Sequence, residues 1–143
     1  MSSNKVYAVL AGCALAVAGL SGCFITTDTG PGPTPNPAVR TGSVTVAWTV
    51  AGSHSPPSCS QFGAYDLELV IMDRFRRPIM KTNAPCSDFA VTADLPAGNY
   101  TAQVTLVDSS SREVSTSLTL QDIRITPDTN LTVDVDFPST SRL

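Results

Sequence analysis

Histidine is almost missing from this chain: His54 is the only one in 143 residues. That removes the side chain most often used for proton transfer and for holding zinc. Charge is also scarce. Asp, Glu, Lys and Arg make up 15% of the residues, with a net charge of −3. A nucleic-acid-binding domain leaves a basic footprint, and this composition gives no reason to expect one. No apolar run reaches membrane-spanning length. The longest uncharged stretch of apolar and small residues, Val6 to Leu20, is fifteen residues long, against the ~20 that a spanning helix needs. Beyond it no stretch repeats its apolar residues at helical spacing. What the chain does have is Thr, Ser and Val in alternating patterns, a composition that favours strands.

The first twenty-three residues read as an export address. Lys5 supplies a positive start, and Val6 to Leu20 fits the apolar middle of a signal peptide. The stretch ends Leu20-Ser21-Gly22-Cys23. That pattern, a large aliphatic residue, two small ones and a cysteine, resembles the lipobox of bacterial lipoproteins. The resemblance implies cleavage before Cys23, a diacylglyceryl thioether on its sulfur, and acylation of the freed amine, with palmitate among the attached chains. Each buried methylene contributes about 0.8 kcal/mol, so two or three chains anchor far more firmly than one. The alternative is an ordinary signal peptide followed by a chance cysteine. Phe24 stands where the inner-membrane retention aspartate of enteric lipoproteins would be. By resemblance, that implies a lipid-anchored protein of the outer membrane, facing the periplasm or the cell surface. Residues 1–22 are accordingly read as the signal peptide.

Residues 23–41 follow as a lipidated terminus and linker. Pro31, Pro33, Pro35 and Pro37 alternate with small or polar residues. Such a segment cannot build a ladder and should be a semi-rigid spacer of about 3.1 Å per residue. With Cys13 lost in the leader and Cys23 lipidated, Cys59 and Cys86 remain in an exported, oxidising setting. They read as a disulfide, with two free thiols or a metal pair as the alternatives. In the chain-entropy picture such a bridge contributes roughly 3–4 kcal/mol.

From residue 42 to 138 the apolar period is two. Val44, Val46, Trp48 and Val50 mark a first strand, with Trp48 facing the core, and a loop Ala51–Gly63 follows. Tyr65, Leu67, Leu69 and Ile71 face inward on a second strand. Asp73 to Pro78 is a turn, Ile79 to Thr82 a short third strand, Asn83 to Ser87 a loop, and Phe89, Val91 and Ala93 mark a fourth. Tyr100 to Leu106 is a fifth strand, and Val114 to Leu120 a sixth after a turn at Asp108–Arg112. The apolar phase then slips, because Ile123 and Ile125 follow Leu120. One extra residue near Gln121-Asp122 is what a β-bulge inserts. Leu131 to Phe137 is the seventh strand. Residues 139–143 are expected as a flexible tail.

Seven short strands predict an all-β, seven-stranded antiparallel β-sandwich. The corner Leu95-Pro96-Ala97-Gly98-Asn99-Tyr100 before an alternating strand resembles prealbumin-like and carboxypeptidase-regulatory-like modules. It is similar also to the fibronectin type III corner, where the tyrosine hydroxyl ties back to the backbone. Leu95, Gly98 and Tyr100 are its structural residues. Two strands follow the tyrosine strand here, where a fibronectin type III module has one, so the prealbumin-like reading fits better. If each strand reverses direction, the loops carrying Cys59 and Cys86 share one end. Arg74, Arg76 and Arg77 then lie at the other end, where the linker enters; one expectation is that they meet lipid phosphates, and the alternative is an ordinary solvated turn.

No catalytic constellation assembles. His54 sits in a Ser/Pro loop, and Ser53, Ser55, Ser58 and Ser60 are neighbours by composition alone. Asp134 and Asp136 share a strand face, and Asp108–Glu113 is oxygen-rich but lacks the glycine and ligand density of a calcium loop. Asn99-Tyr100-Thr101 and Asn130-Leu131-Thr132 match the glycosylation pattern, read here as coincidence in a bacterial chain. No metal and no cofactor is expected, and no enzyme. The expected function is an envelope lipoprotein whose sandwich binds a protein or glycan partner through loops at the membrane-distal end, Ala51–Gly63 among them. The alternatives are a structural subunit that pairs through an edge strand and, behind both, a hydrolytic enzyme.

Overall fold

The computed structural model describes residues 38–143. The leader, Cys23 and most of the linker lie outside the described residues. Among those described, no helix is long and apolar enough to cross a membrane.

Seven strands form two sheets. They are β1 (Thr41–Val50), β2 (Asp66–Met72), β3 (Pro78–Pro85), β4 (Ala90–Pro96), β5 (Gly98–Val107), β6 (Leu118–Ile125) and β7 (Asn130–Phe137). The three-stranded sheet has the order β4-β1-β7, and the four-stranded sheet β3-β2-β5-β6. The fold is an all-β sandwich, as the alternation implies. Four of the five pairings are antiparallel, and β1–β7 is parallel. Strand reversal itself produces that exception: in a chain that turns back after every strand, the first and the seventh run the same way.

Burial follows the period of two. On β1, Val44, Val46, Trp48 and Val50 are fully buried, while Thr45, Ala47 and Thr49 are half-buried on the outer face. Across the core stand Leu67, Leu69 and Ile71 of β2 and Ala102, Val104 and Leu106 of β5. Each large aliphatic side chain removed from water contributes about 1.5–3 kcal/mol. Ile123 and Ile125 are buried as well, because β6 gains a residue. Thr101 alone faces Gln121 and Asp122, and Asp122 takes φ 58° to absorb the insertion. The phase slip is a bulge.

Several expectations give way. The loop Ala51–Gly63 contains a short helix, α1 (Pro56–Phe62). Tyr65 is 65% exposed rather than inward. It precedes β2, and its backbone, not its ring, is used: its N–H donates to Val107 O, and its carbonyl accepts from Cys86 N. The third strand is longer than expected, running to Pro85. The sixth is shorter at its start, because residues 114–117 leave the ladder. There Ser115 is buried and its Oγ accepts the Leu106 N–H. Residues 139–143 are not a loose end. Thr116 N–H donates to Ser141 O, Leu143 N–H donates to Val114 O, and Ser141 is buried.

Candidate functional site

The end of the sandwich opposite the chain entry is built around the disulfide. Pro56 and Pro57 open α1, where a missing N–H costs nothing. Gly63, in the left-handed region at φ 80°, closes it. The helix delivers Cys59 to Cys86, which sits in a 3-10 turn (Cys86–Asp88) after β3, and the two are bonded. Trp48 Nε1 donates to Cys86 O at 3.0 Å, so the core indole spends its one polar group on the bridged turn. Phe89 packs tilted against Trp48, and His54 meets Phe89 edge-on with centroids 5.5 Å apart. The distal loops are thus tied down from both sides.

A shallow cleft of about 310 Å³ brings Trp48, Thr49, His54, Asp134 and Asp136 together. Its polar groups are already employed. Asp136 Oδ1 accepts from Thr49 Oγ1 at 2.6 Å and from Gly52 N at 2.9 Å, holding the loop that leaves β1. Ser53 Oγ accepts from Ser55 N, and Ser58 Oγ donates to Ser55 O at the helix start. Among the described residues no serine–histidine–carboxylate chain of hydrogen bonds forms. No group of three or more His, Cys, Asp or Glu side chains is gathered around a metal-sized space there either. The oxygen-rich Asp108–Arg112 turn is satisfied internally. Asp108 Oδ1 accepts the N–H groups of Ser110 and Arg112, and Oδ2 takes the Arg112 guanidinium at 2.8 Å.

The same five-residue turn recurs at the other end. In Asp73-Arg-Phe-Arg-Arg77, Asp73 Oδ1 accepts from Phe75 N and Arg77 N, and Oδ2 takes the Arg77 guanidinium at 2.7 Å. The fourth residue of each turn, Arg76 or Ser111, has φ 60°. The backbone N–H groups of Arg77 and Arg112 contribute most to holding the two aspartates below the usual carboxylate range; burial opposes them, and the remaining hydrogen bonds and the arginine charges add to the lowering. Of the three arginines expected to meet phosphate, Arg77 is therefore already paired. Among the described residues Arg74, Arg76 and Arg124 form no ion pair. Phe75 is 63% exposed, with the Arg74 guanidinium 4.7 Å and that of Arg77 5.2 Å from its ring centre. The corner stands beside this turn. Tyr100 Oη donates to Pro96 O at 2.8 Å, Leu95 is buried, and Gly98 sits under the Tyr100 ring.

A third feature lies on the outer face of the four-stranded sheet. A groove of about 280 Å³ is lined by Met72, Arg76, Thr101, Gln103, Thr119 and Gln121. Regular strands present the hydroxyls and amides, the bulge aims Gln121, and the strained turn residue Arg76 closes one side. Neither glutamine amide has a hydrogen-bond partner among the described residues, and both are exposed. The outward phases of β5 and β6 read Thr101, Gln103 and Thr119, Gln121. Their alignment across the pair could not be known until the register was fixed (Gln103 opposite Thr119).

No protein-family profile matches the chain. No curated protein sequence matches it significantly. Among solved structures it is similar to the TIE protein of Bacillus anthracis, at 13% identity and TM-score 0.45, over 68% of this chain and 16% of that one. A proposed polysaccharide binding protein of Bacteroides thetaiotaomicron aligns at 12% identity and TM-score 0.37, over 64% of this chain and 46% of that one. The chain spans less than half the length of either.

Proposed function

We propose that the protein is a lipid-anchored envelope protein whose β-sandwich is a non-enzymatic binding module, with a glycan as the ligand. The anchor rests on the Leu20-Ser21-Gly22-Cys23 pattern and the leader before it. The outer membrane is the compartment this reading favours.

The observation that carries the binding role is the groove. Two unpartnered amides, two threonine hydroxyls and a guanidinium line one depression, with the Met72 side chain as apolar floor. Amides donate and accept in one plane, which suits the paired hydroxyls of a sugar ring. Gln103 sits on a regular stretch of β5 and Gln121 at the bulge of β6, both within the hydrogen-bonded sheet, so little backbone ordering is needed on binding. A hydrolase needs a nucleophile or base within hydrogen-bond reach of its partner, and the groove carries amides and hydroxyls where that pair would stand. On this reading the contact surface is the sheet face rather than the distal loops that Cys59–Cys86 ties down.

The test is calorimetric titration of the purified protein with a panel of neutral and uronic-acid-containing polysaccharides. Binding that falls at least tenfold in Gln103→Ala/Gln121→Ala supports the reading. Binding untouched by that pair but lost on changes in Ala51–Gly63 would return the contact surface to the distal loops. Measurable turnover of any bound polysaccharide would sink the non-enzymatic part.

A further inference from the structure

The domain is electrically lopsided along its strands. The end where the chain enters carries Arg40, Arg74, Arg76, Arg77 and Arg124 against Asp73, Asp94, Asp122 and Asp128. Five positive charges against four negative leave that end at +1. The opposite end carries Asp66, Asp88, Asp108, Glu113, Asp134 and Asp136 against Arg112 and Arg142, which leaves −4. Lys81 and Glu68 pair with each other in between. A negatively charged surface therefore attracts one end and repels the other.

The attracted end also carries exposed apolar groups. Phe75 at its tip is 63% exposed, Ile79 just after the turn is 48% exposed, and Val39 at the chain entry is 72% exposed. The rest of the tip is rigid. Asp73 ties the turn from Phe75 to Arg77, so the aromatic ring stays presented with the guanidiniums of Arg74 and Arg77 against it. Arg74 and Arg124 face a common depression of about 400 Å³ that also holds Asn99 and Asp122. An exposed apolar ring beside unpaired arginines suits the boundary of an anionic bilayer, with the ring among the upper acyl chains and the guanidiniums on phosphates.

We infer that this tip, Arg74-Phe75 with Arg124, docks on an anionic lipid surface and sets the domain upright, acidic end outward. The inference deepens the proposed function and rests on its lipid anchor. Cys23 lies fifteen positions before residue 38, and a chain of that length spans at most about 50 Å, so an anchor at Cys23 would leave the tip within reach of the membrane. Arg77 contributes little, because Asp73 already neutralises it.

The experiment uses the processed full-length protein with Phe75→Trp, reconstituted in vesicles with brominated lipids. Trp48 is 1% exposed and stays out of reach of the quencher, so quenching reports position 75. In vesicles containing phosphatidylglycerol the new tryptophan is quenched. In pure phosphatidylcholine it is quenched much less, and 0.5 M salt weakens the effect. Arg74→Gln/Arg124→Gln lowers the anionic-lipid dependence by about fivefold per arginine, with circular dichroism confirming the fold. Protein that floats with the vesicles but shows no quenching in either lipid overturns the docking and leaves the anchor standing. Protein that does not float overturns the anchor. In that case quenching by added phosphatidylglycerol vesicles, absent with phosphatidylcholine, upholds the docking, and no quenching by either overturns it.

Discussion

Removing the Cys59–Cys86 bridge tests how the distal end is held. The two cysteines are 27 residues apart in sequence. Closing a loop of that length removes about 12 cal/mol/K of unfolded-chain entropy, or roughly 3.5 kcal/mol at 25 °C. In Cys59→Ala/Cys86→Ala that amount is lost, a large part of a small domain's total stability. With an m-value near 1.5 kcal/mol/M, the urea midpoint falls by about 2.3 M. The melting temperature drops by about 14 °C or more for a domain of this size. Trp48 is the assay. It is the chain's one tryptophan, is fully buried, and donates to the backbone carbonyl of Cys86 rather than to sulfur. Its native emission should therefore be unchanged in the variant while its unfolding midpoint moves. Two results would refute the reasoning. A loss below about 1 kcal/mol would mean that the unfolded chain is hardly constrained by the bridge. A red-shifted native emission would mean that the bridge shapes the folded core.

Three further outcomes follow. Gly42→Ala should cost about 1–3 kcal/mol or more, because its Cβ would run into Thr126 O and stand 2.9 Å from Thr129 O, both backbone atoms that cannot swing aside; a urea midpoint equal to wild type would contradict that close approach. Asp73 and Asp108 are held below their ordinary value of 3.8, so the stability they contribute is present above about pH 4 and lost as the pH falls through their lower folded values. Asp73→Asn/Asp108→Asn should flatten the acid limb of a stability–pH curve, and an unchanged limb would refute the assignment. Tyr100→Phe should cost about 1 kcal/mol by removing the bond to Pro96 O. Burial raises the Tyr100 phenol above 10.0, so wild type should also lose stability above about pH 10 and the phenylalanine variant should lose less, as read by thermal melts.

The strands were legible because one buried face imposes a period of two, and a slip of one residue would send every apolar side chain to the wrong side. The same logic located the bulge: Ile123 could join the core only if β6 gained a residue. Where burial does not set the pattern, the reading failed. Tyr65 kept the apolar phase of β2 but stands before the ladder begins, so nothing draws its ring inward. α1 is a single-faced segment of seven residues that buries Cys59 and Phe62 alone, too short for a helical period to repeat. The tail was misread because its attachment is through backbone N–H and carbonyl groups, which composition does not record. The twin turns were present as Asp-x-x-x-Arg at 73–77 and 108–112. Their meaning lay in hydrogen bonds to the chain's own amides. The groove combined residues from three strands and a turn, and its register could not be derived from any one of them.

The free edges bear on the reading in which the domain pairs through a strand. Sheet edges invite added strands unless they are blunted. β3 begins at Pro78 and ends at Pro85 and carries Lys81, and β6 is broken by its bulge. β4 is a seven-residue strand that ends in Pro96. β7 has no interruption across Asn130–Phe137. Its outward side chains include Asp134 and Asp136, and Asp136 is committed to the loop at Gly52. A second copy laid antiparallel along β7 would bring these carboxylates toward their counterparts on one face, where like charges repel. Self-assembly through this edge is therefore opposed, whereas a foreign strand with lysine or arginine at the matching positions would gain both the ladder and the ion pairs. Replacing Asp134 with Asn tests both halves of the argument: the variant should self-associate more readily than wild type and bind a basic partner strand more weakly, and sedimentation that shows no gain in self-association would mean that the carboxylate is not the barrier.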